Sequence, residues 1–319
     1  MDGLSAEDFV ESADRIHGQV SRVIIGKPQA IGMTLLTMLA RGHLLVEDVP
    51  GVGKTELAKT LAAAVGGTVH RIQFTPDLLP SDVTGSSMYN MATRGFEFRR
   101  GPVFANIVLA DEINRSSPKT QSALLECMGE AQVSVDGATY VLDDPFFVIA
   151  TQNPIDMAGT YPLPEPQRDR FMARISIGYP DAAAENAMLV CHTASQTRPT
   201  IEPVVDLDTL RRMLTYVAGI HASPAVREYV VALVQATRSH RAVALGASPR
   251  AALHLLRAAC ARAALAGHGV TAPDDVQALA GPVLAHRIIL APEAAAAGLT
   301  DSALIAELLG RVAVPRGLP

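Results

Sequence analysis

Leu44-Leu45-Val46-Glu47-Asp48-Val49-Pro50-Gly51-Val52-Gly53-Lys54-Thr55 is the stretch that decides the fold. Its apolar opening reads as a buried strand, Gly51 and Gly53 as a loop, and Glu56, Leu57, Ala58 and Lys59 as the start of a helix. Residues without Cβ tolerate the backbone conformations that turn successive N–H groups toward one anion, and the helix that follows presents its positive end to the same anion. This is a phosphate-binding loop. Lys54 is placed for the β- and γ-phosphates of a nucleotide and the Thr55 hydroxyl for Mg2+. The nucleotide-binding set is therefore Pro50, Gly51, Val52, Gly53, Lys54, Thr55 and Glu56. The pattern G-x-x-x-x-G-K-[ST] is broken once, by Asp48 in place of the first glycine. A carboxylate beside a polyphosphate opposes binding, so this side chain is expected to point away.

Downstream, residues 68–74 alternate as a short strand, and Ile107-Val108-Leu109-Ala110 is a continuous apolar run, the pattern of a strand covered on both faces of a parallel sheet. That run ends in Asp111-Glu112. Strand-end acids are commonly only solvated, but behind a phosphate loop they match Mg2+-dependent phosphoryl transfer. Asp111 then binds through the metal's water shell, and Glu112 orients or deprotonates the attacking water. A further buried strand, 146–150, ends in Thr151-Gln152-Asn153-Pro154. Asn153 is placed to bond the γ-phosphate and the attacking water, although an asparagine before proline also opens turns.

The intervening segments are read more coarsely. Residues 75–100 show little periodicity and read as an insertion or long functional loop. Residues 102–106 read as helical, and 118–129 as a helix with Leu124, Leu125 and Met128 toward the core. Gln132–Val135 and Ala138–Val141 flank Asp136-Gly137, a hairpin signal. Ahead of the loop, Ser5 opens an amphipathic helix through Phe9, Ala13, Ile16, Val20 and Val23, and residues 29–40 form a second one. Between them Ile24, Ile25 and Gly26 are candidates for adenine contact, with plain packing an equal alternative. Beyond Pro180 the segments 183–194, 207–220, 224–239, 249–266 and 273–279 are helical, giving an α/β core over 1–180 and a helical lid over 181–319. His286 beside Arg287 reads as a solvated helix face.

The 319-residue chain has a formal charge of −5 and no dense basic stripe, which argues against a free nucleic-acid binder. The apolar run 33–40 is too short to span a bilayer. Asp2, Glu7 and Asp8 precede any basic residue, unlike a secretory signal, so a cytoplasmic protein is expected. Cys127, Cys191 and Cys260 form no C-x-x-C pair and are expected to be reduced, without a dedicated metal cage.

The quoted motifs together resemble the MoxR-type AAA+ ATPases, a group related to the ATPase subunit of magnesium chelatase. The matching stretches are VPGVGKT (49–55), FTPDLLPSDVTG (74–85), IVLADEINRSSPKTQSALLECMGE (107–130), IATQNP (149–154), LPEPQRDRFM (163–172) and GASPRA (246–251). The resemblance implies a P-loop AAA+ core with a parallel sheet, an insertion in its second helix near 82–100, a β-hairpin before the sensor strand, and an all-α lid. It implies ATP and Mg2+ as ligands, with Asn153 as the first sensor, Arg170 as a finger reaching a neighbouring subunit's nucleotide, and Arg250 as the second sensor. Pro166 and Arg168 depart from the family's usual E-A-Q-L-D-R-F, so Arg168 competes with Arg170. Ser248 and Pro249 fit the cap and first residue of the helix that carries Arg250.

The expected function is that of a homo-oligomeric, hexameric ring that couples ATP hydrolysis to remodelling, maturation or activation of a protein partner. By resemblance, that partner carries a von Willebrand factor A domain. A nucleic-acid motor is the first alternative, supported by Arg94, Arg99 and Arg100 but opposed by Glu130, Asp136, Asp143 and Asp144 around the hairpin. The other is a nucleotide-sensing scaffold, opposed by the presence of every hydrolytic residue.

Overall fold

The computed structural model describes residues 3–49, 51–153, 161–193 and 201–315. Pro50 and Pro154 lie outside the described residues, as does the Cys191 side chain. Two helices precede the phosphate loop. The first, α1 (Ala6–Ser21), is capped by the Ser5 hydroxyl, which accepts the Asp8 N–H, and buries Phe9, Ala13, Ile16 and Val20 along one stripe. Pro28 supplies the first residue of α2 (Pro28–Leu39), where its missing N–H costs nothing.

The site-bearing region then runs β1 (Leu44–Glu47), α3 (Lys54–Ala64), β2 (Val69–Gln73), α4 (Pro80–Thr84), β3 (Gly85–Asn90), β4 (Gly95–Arg100), β5 (Ile107–Asp111), α5 (Pro118–Glu130), β6 (Gln132–Val135), β7 (Ala138–Val141), β8 (Phe147–Gln152), α6 (Glu165–Arg168) and β9 (Ala173–Ile175). Five of these strands form a parallel sheet in the order β2-β5-β8-β1-β9.

Side-chain alternation explains why the central strands are apolar throughout. Leu44, Val46, Ile107, Leu109, Phe147 and Ile149 face α1, α2, α3 and the lid, whereas Leu45, Val108, Ala110, Val148 and Ala150 face α5 and the hairpins. Each fully buried leucine or isoleucine contributes about 1.5–3 kcal/mol relative to exposure. The double covering holds the C-terminal strand edge in place, and that edge carries the site.

The segment read as irregular is ordered. Residues 80–84 form α4, and β3 pairs antiparallel with β4 from Gly85↔Arg100 to Asn90↔Gly95. Gly85 sits at the hairpin root with φ +95°, where a Cβ would collide with the Arg99 carbonyl. The helix expected over 102–106 is absent. Val103 donates its N–H to Val83, Phe104 to Gly101 and Ala105 to Val103, so the segment closes as tight turns against the hairpin root and does not continue as a helix. The second hairpin, β6–β7, stands as expected around Asp136-Gly137. The two hairpins touch: Phe98 stacks on Tyr140 with ring centroids 4.0 Å apart, and Phe98 also meets Phe104 edge-on.

The region beyond the sheet comprises α7 (Ala182–Thr193), α8 (Leu207–Ala218), α9 (Pro224–Ser239), β10 (Val243–Leu245), α10 (Pro249–Leu265), α11 (Pro273–Leu284), β11 (Ile289–Leu290), α12 (Pro292–Ala296) and α13 (Asp301–Arg311), and holds the helical lid. Its two short strands pair antiparallel. Asp206, Ser223, Ser248 and Thr300 cap α8, α9, α10 and α13 through their side chains. Lid residues such as Leu210, Val226, Leu255 and Val283 share one core with Phe9 and Leu35 of the N-terminal helices.

His286 and Arg287 are corrected. They are 1% and 5% exposed, not a solvated face. His286 Nε2 bonds the Phe171 carbonyl, and the Arg287 guanidinium is enclosed by carbonyls of the segment leading into β9. Burial, followed by the neighbouring Arg287 charge, drives the His286 pKa well below the usual value. Cys127 and Cys260 are free, and burial pushes the Cys127 thiol up to about 12. Among the described residues no helix is long and apolar enough to cross a membrane.

Candidate active site

The phosphate loop leaves β1 and enters α3 with Gly51 at φ +85° and Gly53 at φ +88°, the left-handed conformations that such a cradle requires of glycine. Lys54 is the first residue of α3 and is 9% exposed, with its Nζ donating to the Asp48 carbonyl at 3.1 Å. Thr55 and Glu56 follow on the first turn of α3, both half-buried, with Val52 half-buried in the loop. The Asp48 carboxylate faces the chain after β9, where it accepts N–H groups of Ile177 and Gly178, in line with the expectation that it turns from the phosphates.

Asp111 closes β5 beside this cradle. Its Oδ1 accepts the Thr151 hydroxyl at 2.6 Å and its Oδ2 meets Arg71 at 2.6 Å. Glu112 takes φ +56°, a conformation rare for a residue with a side chain, which turns the chain at the strand tip. Its carboxylate accepts Gln73 Nε2 and Arg115 Nη1, each at 2.9 Å. Thr151 organises both acids: it donates to Asp111 and accepts the Glu112 N–H at 2.9 Å from a fully buried position. Asn153 directly follows β8, half-buried, on the strand between β5 and β1 in the sheet. Lys54, Thr55, Asp111, Glu112 and Asn153 thus gather at one end of adjacent strands, the arrangement that open parallel sheets use for ligands.

Residues the sequence did not single out complete the acidic tip. Arg71 and Gln73 alternate on β2, and β2 pairs with β5 through Arg71↔Leu109 and Gln73↔Asp111. A period-two reading of residues 68–74 places both on one side of the strand. Nothing in it shows which acids they meet about 40 residues later.

The candidate arginines differ in their surroundings. Arg170 Nη1 donates to the Leu125 carbonyl of α5 and packs over Gly129, where an added Cβ would lie 3.3 Å from it. Arg168, on α6, has its Nε buried without a partner. Between them Asp169 accepts the Ser248 hydroxyl at 2.8 Å and Arg287 Nε at 2.9 Å. Ser248 caps α10, so Arg250 stands exposed in its first turn, linked through that cap to the arginine pair. Ile24 is buried, Ile25 half-buried and Gly26 exposed at φ +75°, beside the start of α7.

Comparison with known proteins agrees with this geometry. Residues 43–173 match the model of the ATPase family associated with various cellular activities (AAA), and 235–308 match the AAA lid domain. The chain is 41% identical to Chaperone MoxR1 of Mycobacterium tuberculosis over 99% of its own length and 85% of that protein. It is 49% identical to the uncharacterized protein YeaC of Bacillus subtilis (93% and 92% covered) and 33% identical to Protein MoxR of Paracoccus denitrificans (85% and 86%). A crystal structure from Cytophaga hutchinsonii, provisionally described as an ATPase, superposes with a TM-score of 0.90 at 38% identity, covering 98% of this chain and 97% of that one.

Proposed function

This chain belongs to the MoxR-type AAA+ ATPases, and from that premise we propose that it forms a hexameric ring and spends ATP hydrolysis on remodelling or activating a protein partner. The observation that carries the reading is the convergence of Lys54, Thr55, Asp111, Glu112 and Asn153 on one strand edge.

In this proposal the Gly51–Gly53 backbone and Lys54 hold the phosphates. Thr55 and Asp111 hold Mg2+ directly or through water, and the ion supplies charge neutralisation for the transferring phosphoryl group. Two acids beside a glycine cradle are a suitable donor set for a hard cation. Glu112 orients or deprotonates the water, and its present bonds to Gln73 and Arg115 must be exchanged for that task. Asn153 positions the water and the γ-phosphate, Arg250 reaches the phosphates from the lid, and Ile24, Ile25 and Gly26 form the base side. Arg170 or Arg168 serves the neighbouring subunit, since a guanidinium at the developing charge is worth about 10³ to 10⁵ in rate.

The β3–β4 hairpin suits partner engagement. Tyr89 and Phe96 stack edge-on across it, 54% and 76% exposed, with Met91 beyond them. A partner with a von Willebrand factor A domain is the class the family resemblance implies.

The test is the ATPase rate per protomer across protein concentration, with particle size measured on the same samples. The expected outcome is a rate that climbs as assemblies form, falls by about 10² to 10⁴ in Glu112→Gln, and collapses in Arg170→Ala or Arg168→Ala. A rate flat in concentration and indifferent to both arginines would remove the ring reading.

A further inference from the structure

The residue that replaces the first glycine of the phosphate loop is bonded to two parts of the site at once. Asp48 is 6% exposed. Its Oδ1 accepts the N–H of Val49, the next residue of the loop, at 2.9 Å. Its Oδ2 accepts the Ser176 hydroxyl at 3.1 Å and the N–H groups of Ile177 and Gly178 at 2.6 and 2.7 Å. Gly178 lies at φ +68°, and these two successive N–H groups converge as an anion-binding concavity. A ligand often fills such a concavity; here the Asp48 carboxylate does. The β1–β9 ladder ends at Val46↔Ile175, so the side chain extends the connection just beyond the last strand pair.

From Gly178 the chain continues into the candidate base side. Lys27 Nζ donates to the Tyr179 carbonyl at 2.5 Å, and a Cβ on Gly26 would lie 2.7 Å from the Ala184 Cβ. In the other direction, the Asp48 carbonyl holds Lys54 Nζ at 3.1 Å. Asp48 therefore ties the phosphate cradle to segment 176–178, and that segment continues into the chain that meets Gly26 and Lys27.

We propose that Asp48 is a positioning residue that fixes the distance between the phosphate loop and the base-side wall, so that one nucleotide meets both in register. The proposal rests on the reading of Gly51–Thr55 as a nucleotide site. A glycine at this position serves the phosphates alone; the carboxylate adds a second attachment, and its contribution is preorganisation of a site already shaped before binding.

The experiment titrates the full chain with Mg-ATP and with magnesium tripolyphosphate, which presents phosphates without adenosine. Wild type is compared with Asp48→Gly, which restores the ordinary loop glycine, and with Lys54→Ala as the phosphate control. Asp48→Gly is expected to weaken ATP about tenfold to hundredfold, the scale of lost charge-assisted hydrogen bonds, and to leave tripolyphosphate unchanged. Equal ATP affinity in Asp48→Gly and wild type overturns the proposal and makes Asp48 a tolerated replacement. An equal loss for both ligands also overturns it, because the residue then shapes only the cradle. A wild type that binds neither ligand removes the nucleotide reading itself, and the proposal with it. If Asp48→Gly does not fold, Asp48→Asn is read the same way. Its amide must turn its NH2 toward either Val49 or the linker N–H groups, so it too should lose ATP selectively, and the absence of that loss overturns the proposal.

Discussion

Arg71 meets Asp111 at 2.6 Å and Arg287 meets Asp169 at 2.9 Å, yet the two pairs stand in different surroundings. The Arg71 side chain is 49% exposed and, among the described residues, bonds besides Asp111 only Gln73 on its own strand. The Arg287 side chain is 1% exposed, and its guanidinium also bonds the carbonyls of Asp169, Phe171, Met172 and Val283 and His254 Nδ1. Ion-pair distance alone does not separate them; saturation and burial do. The saturated pair bolts the lid to the segment that carries Arg168 and Arg170. The Arg71 pair joins a half-exposed guanidinium to a carboxylate that is itself only 12% exposed and that chemistry would call upon, so a bound cation competes with the arginine for it.

The contrast is broken or sharpened by three measurements. Arg287→Met should destabilise the fold by about 3–5 kcal/mol, because the carbonyls of Phe171, Met172 and Val283 would stay buried without their donor and Asp169 would keep only the Ser248 hydroxyl among the described residues. Denaturant unfolding checks this, and a loss below about 1 kcal/mol would place Arg287 with the surface pairs.

Acid should act next. Burial lowers His43 from 6.5 to about 4 and His254 to about 2, and drives His286 well below its usual value, with Arg287 a second cause for both of the latter. These histidines stay neutral in the fold but take up protons when unfolded, so stability is flat above about pH 6.5 and falls as pH drops toward 4. For His43 alone the full loss is roughly 3 kcal/mol. Thermal unfolding between pH 8 and 4 reads it, and a profile flat to pH 4 would contradict the burial of these neutral histidines.

The smallest effect is expected from Arg71→Ala. It should cost below about 1 kcal/mol of stability while lowering the Mg2+ concentration needed for half-maximal ATPase rate, since Asp111 would no longer be shared. A Mg2+ dependence identical to wild type would make Arg71 a bystander.

The sequence carried the phosphate loop and both carboxylates clearly, because glycine spacing and a strand buried on both faces are local signals. Ser248 as a cap and the Asp136-Gly137 hairpin were legible for the same reason. The β3–β4 hairpin was not: its turn, Met91–Arg94, lacks the asparagine–glycine or aspartate–glycine signal that marked the other, and its apolar side chains are spread along an exposed face. His286 and Arg287 misled because charged residues are usually exposed, and what encloses them lies 115 to 118 residues upstream, from Asp169 to Met172. Arg71 and Gln73 were silent since their partners belong to a neighbouring strand, a relation that alternation along one strand does not contain. Thr151 lay within a quoted motif, but only the sheet register shows it bonding both acids.

The order of the five strands has a consequence for life in a crowded solution. A parallel sheet ends in two open edges, and each is a template on which another chain can grow. One edge here is β9, three residues long, with Arg174 held by Glu47 and Asp301 and α11 packed beside it. The other is β2, whose middle presents exposed His70 and Arg71 and whose exit meets Pro76. Short length on one side and the exposed Arg71 guanidinium on the other leave little flat edge for stacking. A chain proposed to meet its own copies through chosen surfaces is thereby guarded against meeting them as aggregate.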